Sequence, residues 1–425
     1  MTSQGRFFSA LFLSKKINAL KVIIRLMFKN LSFFNRAFLR NALSLILGPK
    51  LFFNDGHIPP KNHKIPSHFF GLSITIEDLI EDPVGIVEMC RQHKIQDVTL
   101  LIPSNRIGEF SPTFMDDLMG HNIKFNLKLV LVDQEDIYLQ WRELLDLTLL
   151  GYQKHIASIE IEMTSFSQQA LHVFLNIWAT TFNIARLKKI KVAGPSIPSF
   201  SPFFNDMVFK LLKDKYQLPD IHTINLTNEM DKEPELIYSN FLMPRLGKFF
   251  KFNLIKKLAL IQRIAESFNI KTIYGALELK RHEITSYTLR AISLLIACGR
   301  LTKLYLPYRN AEGVLFLVDR MEGMTYMGSL FNDMPFEIHH FKNDKEQMHA
   351  IWARDDKTLN PESFYHIEDI YGAKIYDSHG DIIDLRQFKI TDTPIYLVWR
   401  SLDPIIFIDT PKALDLNATN IMALS

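Results

Sequence analysis

The sequence is poor in cysteine, and this scarcity excludes two classes of protein. Two cysteines in 425 residues, Cys90 and Cys298, cannot build a disulfide framework or a cysteine-based metal centre. Both stand in apolar stretches, which favours thiols that pack in a core. A reducing compartment fits this usage.

Long hydrophobic runs are also missing. No segment reaches the ~20 predominantly apolar residues that a transmembrane helix needs. The stretch 164–185 has no Asp, Glu, Lys or Arg, but polar residues interrupt it, as in an amphipathic helix; among them are Gln168, Gln169, His172, Asn176 and Asn183. A secretion signal is disfavoured because Lys15 and Lys16 interrupt any apolar core near the start. We therefore expect a cytoplasmic protein.

Acidic residues are absent from the first 54 positions, which we interpret as part of a leader spanning residues 1–56. Nine basic residues lie there: Arg6, Lys15, Lys16, Lys21, Arg25, Lys29, Arg36, Arg40 and Lys50. Residues 1–54 therefore carry +9 and, because the whole chain has a formal charge of +3, residues 55–425 carry −6. A mildly acidic body gives no reason to expect nucleic acid as a partner.

The leader also has an apolar periodicity. Positions three to four residues apart are apolar, as on one face of a helix: Leu13, Ile17, Leu20, Ile24, Met27 and Leu31. A basic amphipathic helix of this kind binds anionic membrane surfaces. We expect residues 1–54 either to hold the protein peripherally on the inner membrane or to pack on the acidic body.

Residues 68–335 alternate short apolar runs with amphipathic ones. Eight runs are typical of strands: 69–74, 97–103, 124–132, 158–163, 189–195, 220–226, 271–279 and 303–307. Helices are predicted between them, for instance at 83–93, 134–150, 168–185, 252–268 and 286–298. This count predicts an α/β fold, a (β/α)8 TIM barrel. A doubly wound sheet is the alternative, but no GxGxxG turn follows any strand. Residues 336–425 have short strands between turn residues and predict a C-terminal β-sandwich module.

Candidate site residues follow from the barrel, whose active residues lie at the carboxyl ends of strands. Glu162 lies near the end of the fourth strand and Glu278 near the end of the seventh. Two carboxylates ~5–5.5 Å apart across a barrel mouth perform retaining glycoside hydrolysis; the alternative for each is a salt bridge at the rim. Other polar residues near strand ends are His222, Asn225, Tyr305 and Arg309.

The sequence has none of the common motifs for nucleotide binding, zinc proteolysis or serine hydrolysis. No P-loop, HExxH or GxSxG sequence is present. His222 has no second ligand at metal-binding spacing, so we interpret it as a hydrogen-bonded core or subsite histidine. We expect no metal and no cofactor.

Several segments of the chain together resemble clan-A glycoside hydrolases. The segments that carry the resemblance are EIE at 160–162, VAGPSI at 192–197, DIHTINL at 220–226 and ITDTPIYLVW at 390–399. The closest likeness is to family 39-like proteins of the xylosidase and iduronidase type. It extends to a bacterial branch linked to surface polysaccharide and lipopolysaccharide biosynthesis. The resemblance implies a barrel followed by a β-sandwich, and a carbohydrate ligand, either polysaccharide or glycolipid.

Two departures from the family pattern lie at the catalytic positions. The family's acid/base glutamate follows an asparagine at the end of strand four, where this chain has Met163 and Thr164. The nucleophile normally follows a threonine at the end of strand seven, and Glu278 is displaced from that position by one residue. A slip of one residue turns a side chain to the other face of a strand.

Two functions therefore remain open. In the first, the protein hydrolyses or transfers O-glycosidic bonds of a bacterial surface polysaccharide. Glu162 is then the acid/base, Glu278 is the nucleophile, and His222, Asn225, Tyr305 and Arg309 hold the sugar. In the second, a catalytically degenerate barrel binds glycan, or serves as a scaffold at the inner membrane in polysaccharide or lipopolysaccharide assembly.

Overall fold

A computed structural model gives the structure of the chain between residues 60 and 401. It describes residues 60–132, 137–164, 168–197, 202–226, 233–236, 253–277, 285–330, 336–354, 358–361, 365, 367–384 and 388–401. The predicted leader lies outside these ranges. Within them, no helix combines the length and the apolar character that crossing a bilayer requires.

Eight parallel strands close into a barrel, which confirms the predicted fold class. A short strand, β1 (His63–Lys64), comes before them. The barrel strands are β2 (Phe70–Thr75), β3 (Asp97–Pro103), β4 (Lys124–Leu131), β5 (Ile156–Met163), β6 (Lys191–Ser196), β7 (Ile221–Asn225), β8 (Thr272–Ala276) and β9 (Lys303–Pro307). Each strand pairs with the next along the chain, and β9 pairs with β2 to complete the ring.

Helices follow the strands and cover the barrel. They are α1 (Ile76–Glu81), α2 (Pro83–Gln92), α3 (Asp116–Met119), α4 (Tyr138–Tyr152), α5 (Gln168–Lys188), α6 (Pro202–Asp214), α7 (Leu254–Ser267), α8 (Ser286–Cys298) and α9 (Leu315–Met321). Helix α8 shows why its limits were predictable from sequence. The Thr285 side chain accepts a hydrogen bond from the Thr288 amide at the start, and Gly299 ends the helix with a φ of 62°.

A six-stranded antiparallel sheet packs against the side of the barrel. The sheet contains the short strand β1 and five further strands: β10 (Thr325–Ser329), β11 (Phe336–Lys342), β12 (Glu346–Ala353), β13 (Lys374–Tyr376) and β14 (Ile395–Arg400). Helix α10 (Ile367–Gly372) follows β12. The order across the sheet is β1, β10, β11, β12, β14, β13. Two of its strands, β1 and β10, thus come from before residue 336.

Both faces of this sheet are apolar and covered. On one face Tyr326, Met348 and Trp352 join an apolar cluster with side chains of helices α7 and α8. On the other face Ile351 and Leu397 belong to a second cluster formed within the C-terminal region. The sheet is therefore a middle layer, and the barrel helices beneath it are buried on two sides.

Candidate active site

The interior of the barrel is polar through its middle layer. Asn126 on β4 donates to Glu160 Oε2 on β5 at 2.7 Å and to Thr99 Oγ1 on β3 at 3.3 Å. Ser158 Oγ in turn donates to Asn126 Oδ1 at 2.8 Å. All four side chains are buried. Side chains alternate along a strand, so Ser158 and Glu160, two residues apart on β5, both face this layer.

A buried ion triad lies above this layer, nearer to the mouth. The Lys128 ammonium is 3.5 Å from Glu160 Oε1 and in still closer contact with Glu162 Oε2. Asn225 Nδ2 on β7 donates to Glu162 Oε1 at 2.9 Å. The relative exposure of Lys128 is 0% and that of each glutamate is 2%. One cation thus lies between two carboxylates, so the triad carries a formal charge of −1 when all three groups are ionised.

Glu162 lies in the barrel interior near the carboxyl end of β5, which is the fourth strand of the barrel. It lies one residue before the end of β5, on the same side of the strand as Glu160, since both contact Lys128. Its two carboxylate oxygens are engaged by Lys128 and Asn225. Sequence reasoning selected Glu162 and Asn225 separately, and the structure brings them together.

Lys128 was missed by the sequence reasoning. Its signal was nevertheless present, because a lysine interrupts the apolar run of β4 in phase with Asn126. In a strand whose outer face packs under helices, such a residue must point into the barrel.

The lower end of the interior holds two tyrosines and another ion pair. Lys303 contacts Asp97 where β9 and β3 begin. Tyr305 stacks edge-to-face on Tyr274, with ring centroids 5.8 Å apart. Burial, with the nearby charge of Asp97, raises the pKa of Tyr305 well above its ordinary value. Gly71 leaves the space for this ring, since a Cβ there would lie 2.6 Å from it. Tyr305 therefore belongs to the barrel interior.

His222 faces the opposite side of its strand from Asn225. Its ring lies 4.9 Å from the ring of Phe209 on α6, between the barrel wall and the helical layer. It is completely buried. Desolvation lowers the pKa of His222 to about 3, so the imidazole is neutral. This placement matches the core histidine alternative and separates His222 from the mouth.

Arg309 lies at the rim of the mouth, in the 3-10 turn Tyr308–Asn310 that follows β9. Its guanidinium Nε is 2.5 Å from Asp78 Oδ1, and its Nη2 is 2.6 Å from Glu81 Oε2. The Tyr308 hydroxyl donates to Asp82 Oδ2 at 2.5 Å. Arg309 is half exposed, so it can reach a ligand only by sharing or leaving these carboxylates.

Glu278, the other predicted carboxylate, lies outside the described residues. Strand β8 ends at Ala276, and Leu277 follows it with a buried side chain. The pairing of Glu278 with Glu162 thus stays a prediction. In the described part of the chain, no group of three or more histidine, cysteine, aspartate or glutamate side chains is arranged to hold a metal ion.

Comparisons with known proteins add a general likeness in architecture. No protein-family model matches the chain, and no curated protein matches it. A family 30 glycoside hydrolase endoxylanase from Clostridium papyrosolvens is similar at 10% identity and a TM-score of 0.49, over 80% of this chain and 97% of that one. A β-porphyranase of glycoside hydrolase family 86 from Bacteroides plebeius is similar at 10% identity and a TM-score of 0.47, over 81% and 75% of the two chains.

A protein from Neocallimastix frontalis gives a similar result, with 9% identity and a TM-score of 0.47 over 81% of this chain and 94% of that one. Likenesses of this size assign no family. The barrel is established by the strand pairing within this chain.

Proposed function

We propose that the protein is a glycoside hydrolase-like barrel that acts on O-glycosidic bonds of a bacterial surface polysaccharide at the carboxyl end of its strands. The observation that supports this most directly is the position of Glu162. Its carboxylate lies inside the barrel at the end of the fourth strand, and Asn225 fixes it by a 2.9 Å hydrogen bond. A positioned carboxylate at this end of a barrel is suited to acid–base chemistry on a bound substrate.

In this proposal Glu162 and Glu278 divide the two steps of a retaining mechanism. Glu278 attacks the anomeric carbon, and Glu162 gives its proton to the departing oxygen. Glu162 then removes a proton from the water that releases the sugar. Asn225 keeps the Glu162 carboxylate in orientation, and Arg309 at the rim offers donors to sugar hydroxyls. His222 lies outside the barrel wall against Phe209, and Tyr305 packs on Tyr274 low in the interior, so we assign them no sugar contact.

A second candidate function, glycan binding without turnover, is favoured by one specific contact. The Lys128 ammonium touches Glu162 and stabilises its negative charge, whereas a general acid must carry a proton. If Glu162 is permanently ionised within the triad, the mouth recognises carbohydrate but lacks a proton donor.

Turnover measurements on the full chain separate the two functions. Aryl glycosides and bacterial polysaccharides serve as substrates, and calorimetry measures binding in parallel. If the protein hydrolyses them, Glu162→Gln and Glu278→Gln each lower kcat by at least about a hundredfold. The matched control is Glu88→Gln on α2, whose carboxylate is exposed and remote from the interior; it leaves kcat unchanged.

The contrary results are equally defined. Saturable binding without turnover supports the second function. Turnover that persists in both glutamine variants rejects the two-carboxylate mechanism. Absence of both turnover and binding, across a panel of surface polysaccharides, rejects both functions.

A further inference from the structure

The amino end of the barrel, opposite the mouth, carries a basic surface that the proposed function does not use. Six exposed lysines lie on the segments that lead into β5, β6 and β7: Lys154, Lys188, Lys189, Lys191, Lys213 and Lys215. These three strands are neighbours in the barrel, so their entry segments are adjacent. We call this set the basic arc.

Few acidic groups offset the charge of the basic arc. Asp220, at the entry to β7, has its Oδ1 3.0 Å from Arg186 Nη1 and is therefore compensated locally. Asp214 is the other acidic residue on these segments, and Asp116 of α3 approaches their edge, where it accepts a 2.9 Å hydrogen bond from the Tyr152 hydroxyl. The arc is thus strongly positive although the chain after residue 54 has a net charge of −6. An anionic partner is attracted to this end of the barrel specifically.

Large apolar side chains project from the same surface. Leu150 at the end of α4 is 84% exposed, Leu187 at the end of α5 is 83% exposed, and Tyr216 just after α6 is 92% exposed. Each stands next to or within a few residues of lysines of the arc. Lysines that surround projecting leucine and tyrosine side chains suit the headgroup region of an anionic bilayer, where charge attracts and apolar tips insert.

The first described residues, 60–64, lie at this same end of the barrel. His63 in β1 packs against the end of α8, where its Nε2 lies 3.4 Å from the Ile296 carbonyl oxygen. Gly299 permits this approach, because a Cβ there would lie 2.5 Å from the His63 ring. Helices of the barrel end at the amino end of the strands, so residues 60–64 lie at the end of the barrel that bears the arc, next to the start of β9. The segment before them carries nine basic residues.

We propose that the amino end of the barrel docks on an anionic phospholipid bilayer through the basic arc and its apolar tips, with the mouth directed away from the membrane. This assignment does not depend on the carbohydrate chemistry at the mouth.

Co-sedimentation with vesicles tests the charge contribution. The full chain is mixed with vesicles of phosphatidylcholine containing 30% phosphatidylglycerol, and with pure phosphatidylcholine, at about 0.1 M salt. The variant Lys188→Gln/Lys191→Gln/Lys215→Gln should lower the partition coefficient at least about tenfold, because each lysine near an anionic surface contributes to binding. The matched control, Lys345→Gln/Lys374→Gln/Lys389→Gln, removes the same charge from exposed lysines of the C-terminal region and should lower it less than twofold.

A fluorescent probe tests the orientation independently of the leader. Both native cysteines are buried, and burial raises the pKa of each thiol to about 12, so a maleimide labels an introduced cysteine selectively. An environment-sensitive dye on Tyr216→Cys should shift to the blue by at least about 10 nm with anionic vesicles, as dyes do on entering the interfacial layer. The same dye on Lys389→Cys should not shift.

Three results would overturn the proposal. The first is equal loss of partition in the two triple variants. The second is a dye at Tyr216→Cys that stays in water while the protein is bound. The third is tighter binding to a duplex DNA oligonucleotide than to vesicles, abolished by the same arc variant, which would assign the surface to nucleic acid.

Discussion

Replacing Lys128 by methionine perturbs the polar interior more directly than any other single change. Methionine fills a similar volume, so the substitution removes the charge while keeping most of the packing. The lysine is completely buried and lies between Glu160 and Glu162. Its loss leaves two carboxylates, each only 2% exposed, without their common cation.

The magnitude follows from the geometry. At an effective dielectric constant near 20, unit charges 3.5 Å apart, the Lys128–Glu160 separation, attract by roughly 5 kcal/mol. Desolvation of the charges offsets much of that attraction in the intact protein. It does not offset the cost of stranding a partner, which is about 3–5 kcal/mol for one broken buried pair. We therefore expect Lys128→Met to lower the free energy of unfolding by about 3–5 kcal/mol.

Urea denaturation followed by tryptophan fluorescence measures this loss. Lys303→Met is the matched control, because Lys303 also contacts a carboxylate but at the amino end of the barrel, where both partners are 15% exposed. Water reaches that pair, and we expect a loss of about 1 kcal/mol. Adding Glu162→Gln to Lys128→Met should restore part of the stability, since it removes one stranded charge.

The pH dependence of Lys128→Met gives a second readout. A stranded buried carboxylate binds a proton more readily in the folded state than in the unfolded state. The stability deficit relative to the wild-type protein should therefore shrink as the pH falls from 7 to 5. A loss below about 1 kcal/mol at pH 7, or a deficit that does not depend on pH, would refute the view that Lys128 neutralises the interior.

Three further outcomes are expected in denaturation experiments. Arg290→Met should cost about 3–5 kcal/mol, because Arg290 is completely buried and its Nη2 lies 2.5 Å from Glu235 Oε2; a loss near zero would contradict this. The pKa of His222 is about 3 when folded, below its ordinary 6.5, so the unfolded chain binds more protons and stability falls as the pH drops from 6.5 toward 3; His222→Phe should flatten that fall, and an unchanged profile would count against it. Gly71→Ala should cost about 1–3 kcal/mol through a clash with Tyr305, whereas a neutral effect would show that the ring can move.

Local and periodic features explain why the barrel was predictable from sequence. Strand β3 (Asp97–Pro103) and helix α8 (Ser286–Cys298) occur within their predicted limits. Each has a regular apolar pattern, and α8 has a threonine cap before it and a glycine after it. Such signals depend on neighbours in the sequence, so one chain is enough to read them.

The pairing of distant segments could not be predicted in the same way. Strand β1 (His63–Lys64) has two residues and no pattern of its own, and it is ordered by pairing with Tyr326 and Thr325 of β10. Nothing near residues 63 and 64 encodes that partner. The antiparallel sheet was predicted as a C-terminal module for this reason, without its two earlier strands.

The candidate site was predictable in part. Side chains alternate along a strand, so Glu160 and Glu162 must lie on one side of β5, and both do contact Lys128. The side on which His222 lies was not readable, because both faces of a barrel strand can be buried. Only the structure shows that its ring contacts Phe209 of α6 and so lies outside the barrel wall. The ion triad was missed because it joins a lysine of β4 to two glutamates of β5, and the contact between the two strands is not written in either segment.

The double burial of helix α8 has a consequence for how this protein can evolve. The described side chains of α8 from Thr288 to Cys298 are all buried, since the barrel lies on one side and the sheet with Met348 and Trp352 on the other. Truncation of the chain at residue 335 would therefore expose the apolar surface of α8 to water. Recombination can exchange this sheet for another module only if the apolar residues on the surface of α8 are replaced at the same time. We therefore expect the barrel and the sheet to be stable only together.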